Sequence, residues 1–226
     1  MSGPDYGRSF AAWRAACPGP WRAYTRHAFV EGMADGTLPR PAFLRYLVQD
    51  YLFLIHFSRA WALAVVKAGT LDEMRACAGT VHALVEGEMA LHVRICAEAG
   101  IAQSELTAAE EAPENLAYTR YVLEAGYSGD FLDLLAALAP CVLGYGEIGL
   151  RLAGAAAPGT PYRDWIEAYA SADYQQTCRA VGTLIDEAVA DRLGEGARKL
   201  PRWDALAARF ETATRLEAAF WGLGRA

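Results

Sequence analysis

An all-α fold, a multi-helix bundle within one domain, is what this sequence predicts, and three observations predict it. Apolar residues recur at steps of three and four through the long segments, the spacing of a half-buried helix. No stretch sustains the period-two alternation of a strand. Ala, Leu, Glu and Arg are abundant while Val and Ile seldom run together, a composition that favours helices. With 226 residues, 54% of them hydrophobic and 21% charged, the chain suffices for one core that removes roughly 70% of its extended surface from water. No internal repeat and no Pro/Gly-rich linker divides it. A single domain is therefore expected over residues 1–226, with residues 1–7 loosely ordered.

Turn residues set the elements in order. Pro18-Gly19-Pro20 closes the first segment and Gly36 to Pro41 the second. Pro41 also suits the first turn of the helix that follows, where its missing N–H costs nothing. That helix carries Leu47, Leu54, Phe57 and Trp61 on one face and stops at Gly69-Thr70. The next periodic run ends at Gly100, in the position of a C-cap. Ser104 and Thr107 precede a charged segment that Ala112-Pro113 closes. Gly126 to Gly129 separates the following helix from one striped with Phe131, Leu134, Leu138, Tyr145 and Ile148. Pro158 to Pro161 and Gly194 to Pro201 bound the penultimate segment, and Trp203, Leu206, Phe210 and Phe220 mark the last. About seven or eight helices of roughly 12 to 30 residues result.

Composition also excludes classes of function. A net charge of −6, with the Arg residues dispersed, offers no positive field to a phosphate backbone or an anionic lipid. Nucleic acid and membrane partners are not expected. MSGPDYGRSF lacks the apolar core of a signal peptide, and the charge-free stretch from Leu134 to Gly146 is too short to span a bilayer. A cytoplasmic protein is the expectation. Cys17, Cys77, Cys96, Cys141 and Cys178 form no C-x-x-C pair, which argues against both a disulfide framework and a zinc site. His27, His56, His82 and His92 are preceded three residues earlier by Tyr24, Phe53, Gly79 and Met89, so the Glu-x-x-His pairs of a di-iron bundle are missing. Glu88 with His92, and His82 with Glu86, can share a helical face, but such pairs are more often surface or interface hydrogen bonds than ligand sets. No Gly-rich phosphate loop stands in the right context. Neither a metal nor a cofactor is expected.

Three residues break the apolar stripes. Asp50 lies three after Leu47 and four before Leu54, so it points where they point, with Phe53 and Phe57 in the same sector. A carboxylate there must be paired, hydrogen-bonded or poised against a ligand. Cys141 stands three after Leu138 and four before Tyr145, directly after Pro140, a residue that tends to kink a helix and free a carbonyl. Buried thiols are usually inert, and spacing alone favours that reading. Glu217 is flanked on its own face by Phe210, Thr214, Phe220 and Trp221, and an aromatic pocket would raise its pKa toward a range useful for proton transfer. Tyr118, Tyr121 and Tyr169 are placed to turn phenolic hydroxyls inward.

These residues lie within blocks that together resemble the TenA/thiaminase II family. The resemblance runs through HAFVEGMADGTLPRPAFLRYLVQDYLFLIHFSRA, EGEMALH, LAALAPCVLGYGEIG, PYRDWIEAYAS and LEAAFWGLG, nearly the whole chain. It is to the branch that carries a cysteine in the pocket. What it implies is a haem-oxygenase-like helical fold without haem, assembled as a homotetramer. It also implies an aminopyrimidine aminohydrolase of thiamin salvage, a C–N hydrolase. Such an enzyme replaces the aminomethyl nitrogen of 4-amino-5-aminomethyl-2-methylpyrimidine with hydroxyl, releases ammonia, and cleaves thiamin in the same way. On this resemblance Cys141 is the nucleophile and Glu217 the proton donor. Asp50 holds the aminopyrimidine, while Tyr118, Tyr145 and Tyr169 bond to or stack on the ring. Where many relatives carry Tyr, this chain has Phe53, which keeps the flat wall and loses a hydroxyl. Two other readings stand beside it: a redox protein on the same scaffold, with His27 early in the chain as a proximal ligand, and a non-catalytic pyrimidine-binding protein.

Overall fold

Twelve α-helices, one π-helical turn and two short 3-10 turns make up the described residues, 4–225, of the computed structural model. In chain order the helices are α1 (Arg8–Ala16), α2 (Pro18–Thr25), α3 (Ala28–Asp35), α4 (Arg40–Lys67), α5 (Leu71–His82), α6 (Met89–Glu98), α7 (Gln103–Ala108), α8 (Pro113–Ser128), α9 (Phe131–Ala155), α10 (Arg163–Ala170), α11 (Ala172–Leu193) and α12 (Pro201–Phe220). The π turn, Ala83–Glu88, joins α5 to α6, and 3-10 turns lie at Ala197–Lys199 and Trp221–Arg225. The fold is all-α and single-domain, as expected, but the helices outnumber the seven or eight read from the turn residues. Pro18-Gly19-Pro20 marks the break between α1 and α2, but Arg26 and His27 divide α2 from α3 and the π turn splits the periodic run from Leu71 to Glu98, and neither of these two breaks carries a Gly/Pro cluster. Gly126, read as a breaker, lies inside α8, where a Cβ would press on Leu63 at 2.9 Å.

Helix α9 is the axis of the bundle, packed by α4, α8, α10, α11 and α12. Its first turn is fixed by a reciprocal cap: Asp130 accepts from the Asp133 amide at 3.0 Å and Asp133 from the Asp130 amide at 3.0 Å. The helix is long and apolar enough to cross a membrane, yet 94% of its apolar window is buried inside the bundle. A helix surrounded by other helices has no polar face to present. It runs unbroken through Pro140, the position expected to kink, and the Pro140 carbonyl accepts a hydrogen bond from the Tyr24 hydroxyl at 3.3 Å. Gly149 lets α10 lie directly against α9, since a Cβ there would stand 2.6 Å from the Tyr169 carbonyl carbon.

Within the segment expected to be loose, residues 1–7, Tyr6 and Gly7 are instead fixed in place. Tyr6 is 3% exposed and donates to Gln175 Oε1 at 2.5 Å, and Gly7 takes a φ of 102°, which glycine adopts freely, to enter α1. An aromatic ring with a buried partner for its hydroxyl fixes the backbone at its own position. Residues 1–3 lie outside the described residues.

Candidate active site

Five regions of the chain bring side chains together in one buried, ring-lined site. Helix α4 supplies Tyr46, Asp50 and Phe53 at successive turns of one face, and α9 supplies Cys141 and Tyr145 four apart. Tyr118 comes from α8, Trp165 and Tyr169 from α10, and Glu217 and Phe220 from the end of α12, with Trp221 just beyond. Every one of these side chains is buried.

Asp50, 2% exposed, is held from two sides. The Tyr46 hydroxyl donates to its Oδ2 at 2.9 Å, and His92 Nε2 lies 2.7 Å from the same oxygen. The histidine contact is an ion pair without an aligned hydrogen bond. His92 Nδ1 in turn stands 2.8 Å from the Glu88 carbonyl. This bond to an acceptor puts a proton on Nδ1 and presents Nε2 to the carboxylate. Burial works against a charged imidazole, but the Asp50 and Glu88 carboxylates outweigh it and raise the His92 pKa above its ordinary value. Buried carboxylate and imidazolium thus neutralise each other in a setting where either alone would be costly.

Glu217, 1% exposed, accepts from the Tyr118 hydroxyl at 2.7 Å and lies within hydrogen-bonding reach of the Cys141 thiol. Burial, with further repulsion from Asp50 and Glu88, pushes its carboxyl up to about 8, against the hydrogen bonds from Tyr118 and Cys141 that favour the anion. It is therefore largely a neutral acid at pH 7. The Cys141 thiol is driven well above its usual range by burial first, then by the Glu217, Glu88 and Asp50 carboxylates. A thiol in this setting stays protonated until a neighbour takes its proton as it attacks.

Rings form the walls. Phe53 packs on Phe57 at 5.2 Å, Tyr118 at 4.9 Å and Phe220 at 5.5 Å between centroids. Opposite, Tyr145 meets Tyr169 at 5.0 Å and Trp221 at 5.4 Å, and its hydroxyl lies 3.4 Å from that of Tyr46. Burial holds the Tyr118, Tyr145 and Tyr169 hydroxyls well above the ordinary phenol range, so they act as neutral donors. The Trp221 indole N–H has no hydrogen-bond partner within the protein. Beside this chamber a cavity of about 340 Å³ is lined by Glu88, Leu84, Val142, Tyr169 and Tyr174 among others.

A sequence profile described as the TENA/THI-4/PQQC family matches residues 15–225. The chain belongs to this family. Among its relatives, the aminopyrimidine aminohydrolase of Halalkalibacterium halodurans is 35% identical over 90% of this chain and 89% of its own length. The protein of that name from Bacillus subtilis is 30% identical over 93% and 86%. Of solved structures, a Silicibacter protein described as a TenA family transcription regulator is 62% identical, with a TM-score of 0.95 over 97% of both chains. A TenA homologue from P. horikoshii is 26% identical, with a TM-score of 0.84 over 96% and 97%.

The seven site residues read from the sequence converge in the structure. Asp50, Phe53, Tyr118, Cys141, Tyr145, Tyr169 and Glu217 all reach the one chamber. Three neighbours escaped that reading. Tyr46, on the same face as Asp50 one turn earlier, supplies its hydrogen bond. His92 and Glu88, set aside as a surface or interface pair, are the partner of Asp50 and the wall of the cavity. His27 is engaged at the N-terminus of α3, where Nδ1 accepts from the Phe29 amide at 3.2 Å. Among the described residues no group of three or more His, Cys, Asp or Glu is disposed to hold a metal ion.

Proposed function

We propose that this protein hydrolyses 4-amino-5-aminomethyl-2-methylpyrimidine to the 5-hydroxymethyl pyrimidine and ammonia, with Cys141 as nucleophile and Glu217 as acid and base, and that it cleaves thiamin by the same route. The observation that carries the reading is the convergence of a thiol, a neutral carboxylic acid and a paired carboxylate in one ring-lined interior. The names of the 30–35% identical relatives support the substrate class.

An aminopyrimidine is a flat, weakly basic ring with donors and acceptors along one edge. The Asp50 carboxylate accepts from the amino group, while Phe53 and the tyrosines grip the faces. The leaving nitrogen is already cationic, as the ammonium of the aminomethyl group or the thiazolium of thiamin; Glu217, ionised as that cation arrives, removes the Cys141 proton as sulfur bonds to the ring carbon beside the substituted one. The ring electrons displaced by that bond expel ammonia and leave an exocyclic methylene. Water next bonds to the methylene carbon and gives its proton to Glu217, whose own proton returns to the departing sulfur. Glu217 thus takes one proton in the first half and, after exchanging protons with water and sulfur in the second, releases it to solvent, which a pKa near neutrality suits. No redox partner is needed.

The five cysteines are all free, in keeping with a reducing cytoplasm. Val66, Leu71, Met74 and Tyr127 are large apolar residues left exposed, which supports assembly of copies into the homotetramer expected of this family. The net charge of −6 speaks against nucleic acid or an anionic membrane as partner. The test is ammonia release from the aminomethylpyrimidine by wild type, Cys141→Ala and Glu217→Gln. Turnover by wild type with collapse in both variants is the expected result, and full activity in both would sink the assignment.

A further inference from the structure

Glu88 has no part in the reaction as derived above, yet it is built into the wall between the chamber and the neighbouring cavity. It ends the π turn, a wide turn that adds a residue to the helical repeat and often marks a functional position. The residue as a whole is half-buried, but its Oε1 accepts from the buried Tyr169 hydroxyl at 2.5 Å. Tyr169 in turn packs on Tyr145, one turn along α9 from Cys141. Val142, which follows the nucleophile, lines the cavity beside Glu88. The lining residues include two carboxylates, Glu88 inside and the exposed Asp173 at the rim, and no Lys, Arg or His. The rest of the lining includes Leu84 and Leu91, one turn either side of Glu88, with Val142 and Tyr174.

A cavity of about 340 Å³ with one inward carboxylate among apolar side chains suits a small group that is cationic and otherwise undemanding. Each substrate of the proposed reaction carries such a group on the methylene. The aminomethyl nitrogen is an ammonium before it leaves, and the thiazolium of thiamin is a permanent cation. When the C–N bond breaks, its electron pair passes to nitrogen and the charge disappears. We propose that this cavity is the leaving-group subsite, and that Glu88 selects substrates by the positive charge their leaving group bears. The neutral ammonia or thiazole then formed has no charge to keep it there, so the same contact that favours substrate does not retain product. Burial raises the Glu88 carboxyl to about 7, with His92 pulling it down and Asp50 pushing it up. A cation arriving beside it shifts it toward the anion.

The inference rests on the hydrolase reading, and the experiment separates the two. Dissociation constants are measured by calorimetry in Cys141→Ala, which cannot turn over, and in Cys141→Ala with Glu88→Gln. The ligands are aminomethylpyrimidine, thiamin and the neutral hydroxymethylpyrimidine. Loss of the charge–charge contact predicts about tenfold weaker binding of the two cationic ligands, with hydroxymethylpyrimidine unchanged within about twofold. Equal weakening of all three ligands shows a structural role only and overturns the proposal, as does no change in any. Failure of all three ligands to bind Cys141→Ala, together with no ammonia release by wild type, sinks the hydrolase reading and this one with it.

Discussion

His92 Nε2 sits 2.7 Å from Asp50 Oδ2, with both side chains sealed from water and the far imidazole nitrogen held by the Glu88 carbonyl. A buried ion pair adds little net stability, but removing one partner strands the other. His92→Ala is expected to cost about 3–5 kcal/mol in urea denaturation. The double variant Asp50→Asn with His92→Ala should lose less than the sum of the singles, because the stranded charge is gone. Additive losses would show that the two groups do not depend on each other.

That pair also marks where sequence reasoning stopped. Asp50, Cys141 and Glu217 were legible because each interrupts an apolar stripe whose period continues on both sides. His92 was not, since the π turn over Ala83–Glu88 inserts an extra residue into the repeat just before it, and counting by threes and fours loses the face there. Spacing did show that Glu88 and His92 share a side of the helix; what it lacked was which neighbour that side meets. Tyr46 was visible in pattern but unremarkable, since an inward Tyr one turn from an inward Asp declares itself only when the hydroxyl is seen to point at it. The break between α2 and α3 was hidden for a different reason, being made by Arg26 with His27, neither a turn-forming residue, whereas Pro18-Gly19-Pro20 marks the break between α1 and α2.

The thiol chemistry gives a second prediction. Burial and the surrounding carboxylates hold Cys141 as a neutral thiol, and all five cysteines are buried. Alkylation of the native protein by iodoacetamide at pH 7 should run at least about tenfold slower than that of free cysteine. At pH 9, where Glu217 is ionised, its charge opposes the thiolate. Glu217→Gln removes that opposition and should speed modification of Cys141, read by mass spectrometry of the labelled peptide. Identical rates in the two proteins would mean that the carboxylate does not govern the thiol.

Thermal stability should also depend on pH through the same acid. Glu217 titrates near the ordinary 4.5 when unfolded and at about 8 when folded. The native state therefore holds a proton that the unfolded chain has lost, so this contribution is complete below 4.5 and drains away as pH rises toward 8. Glu88, at about 7, acts with the same sign over a narrower window, whereas Asp133, held at about 2 by Arg202 and Arg209, matters only in acid. Tm should fall between pH 5 and 8, and Glu217→Gln should flatten that fall when followed by calorimetry. A slope unchanged in the variant would contradict the raised pKa.

The closest backbone approach around the chamber yields the last prediction. A Cβ on Gly149 would stand 2.6 Å from the Tyr169 carbonyl carbon and 2.7 Å from its Cβ, and backbone cannot swing aside as a flexible side chain can. Gly149→Ala must therefore shift α10 outward or displace α9, overpacking that costs about 1–3 kcal/mol. Because α10 carries Trp165 and Tyr169, the shift also moves one wall of the chamber and the hydroxyl that bonds Glu88. Misplacement of this kind is expected to lower kcat/KM for the aminomethylpyrimidine by about 10²-fold. Gly154, on the same helix with open space around it, provides the control, and its alanine variant should keep both stability and turnover within about twofold of wild type. If Gly149→Ala behaves like Gly154→Ala, the packing of α10 on α9 is slack and does not position Tyr169.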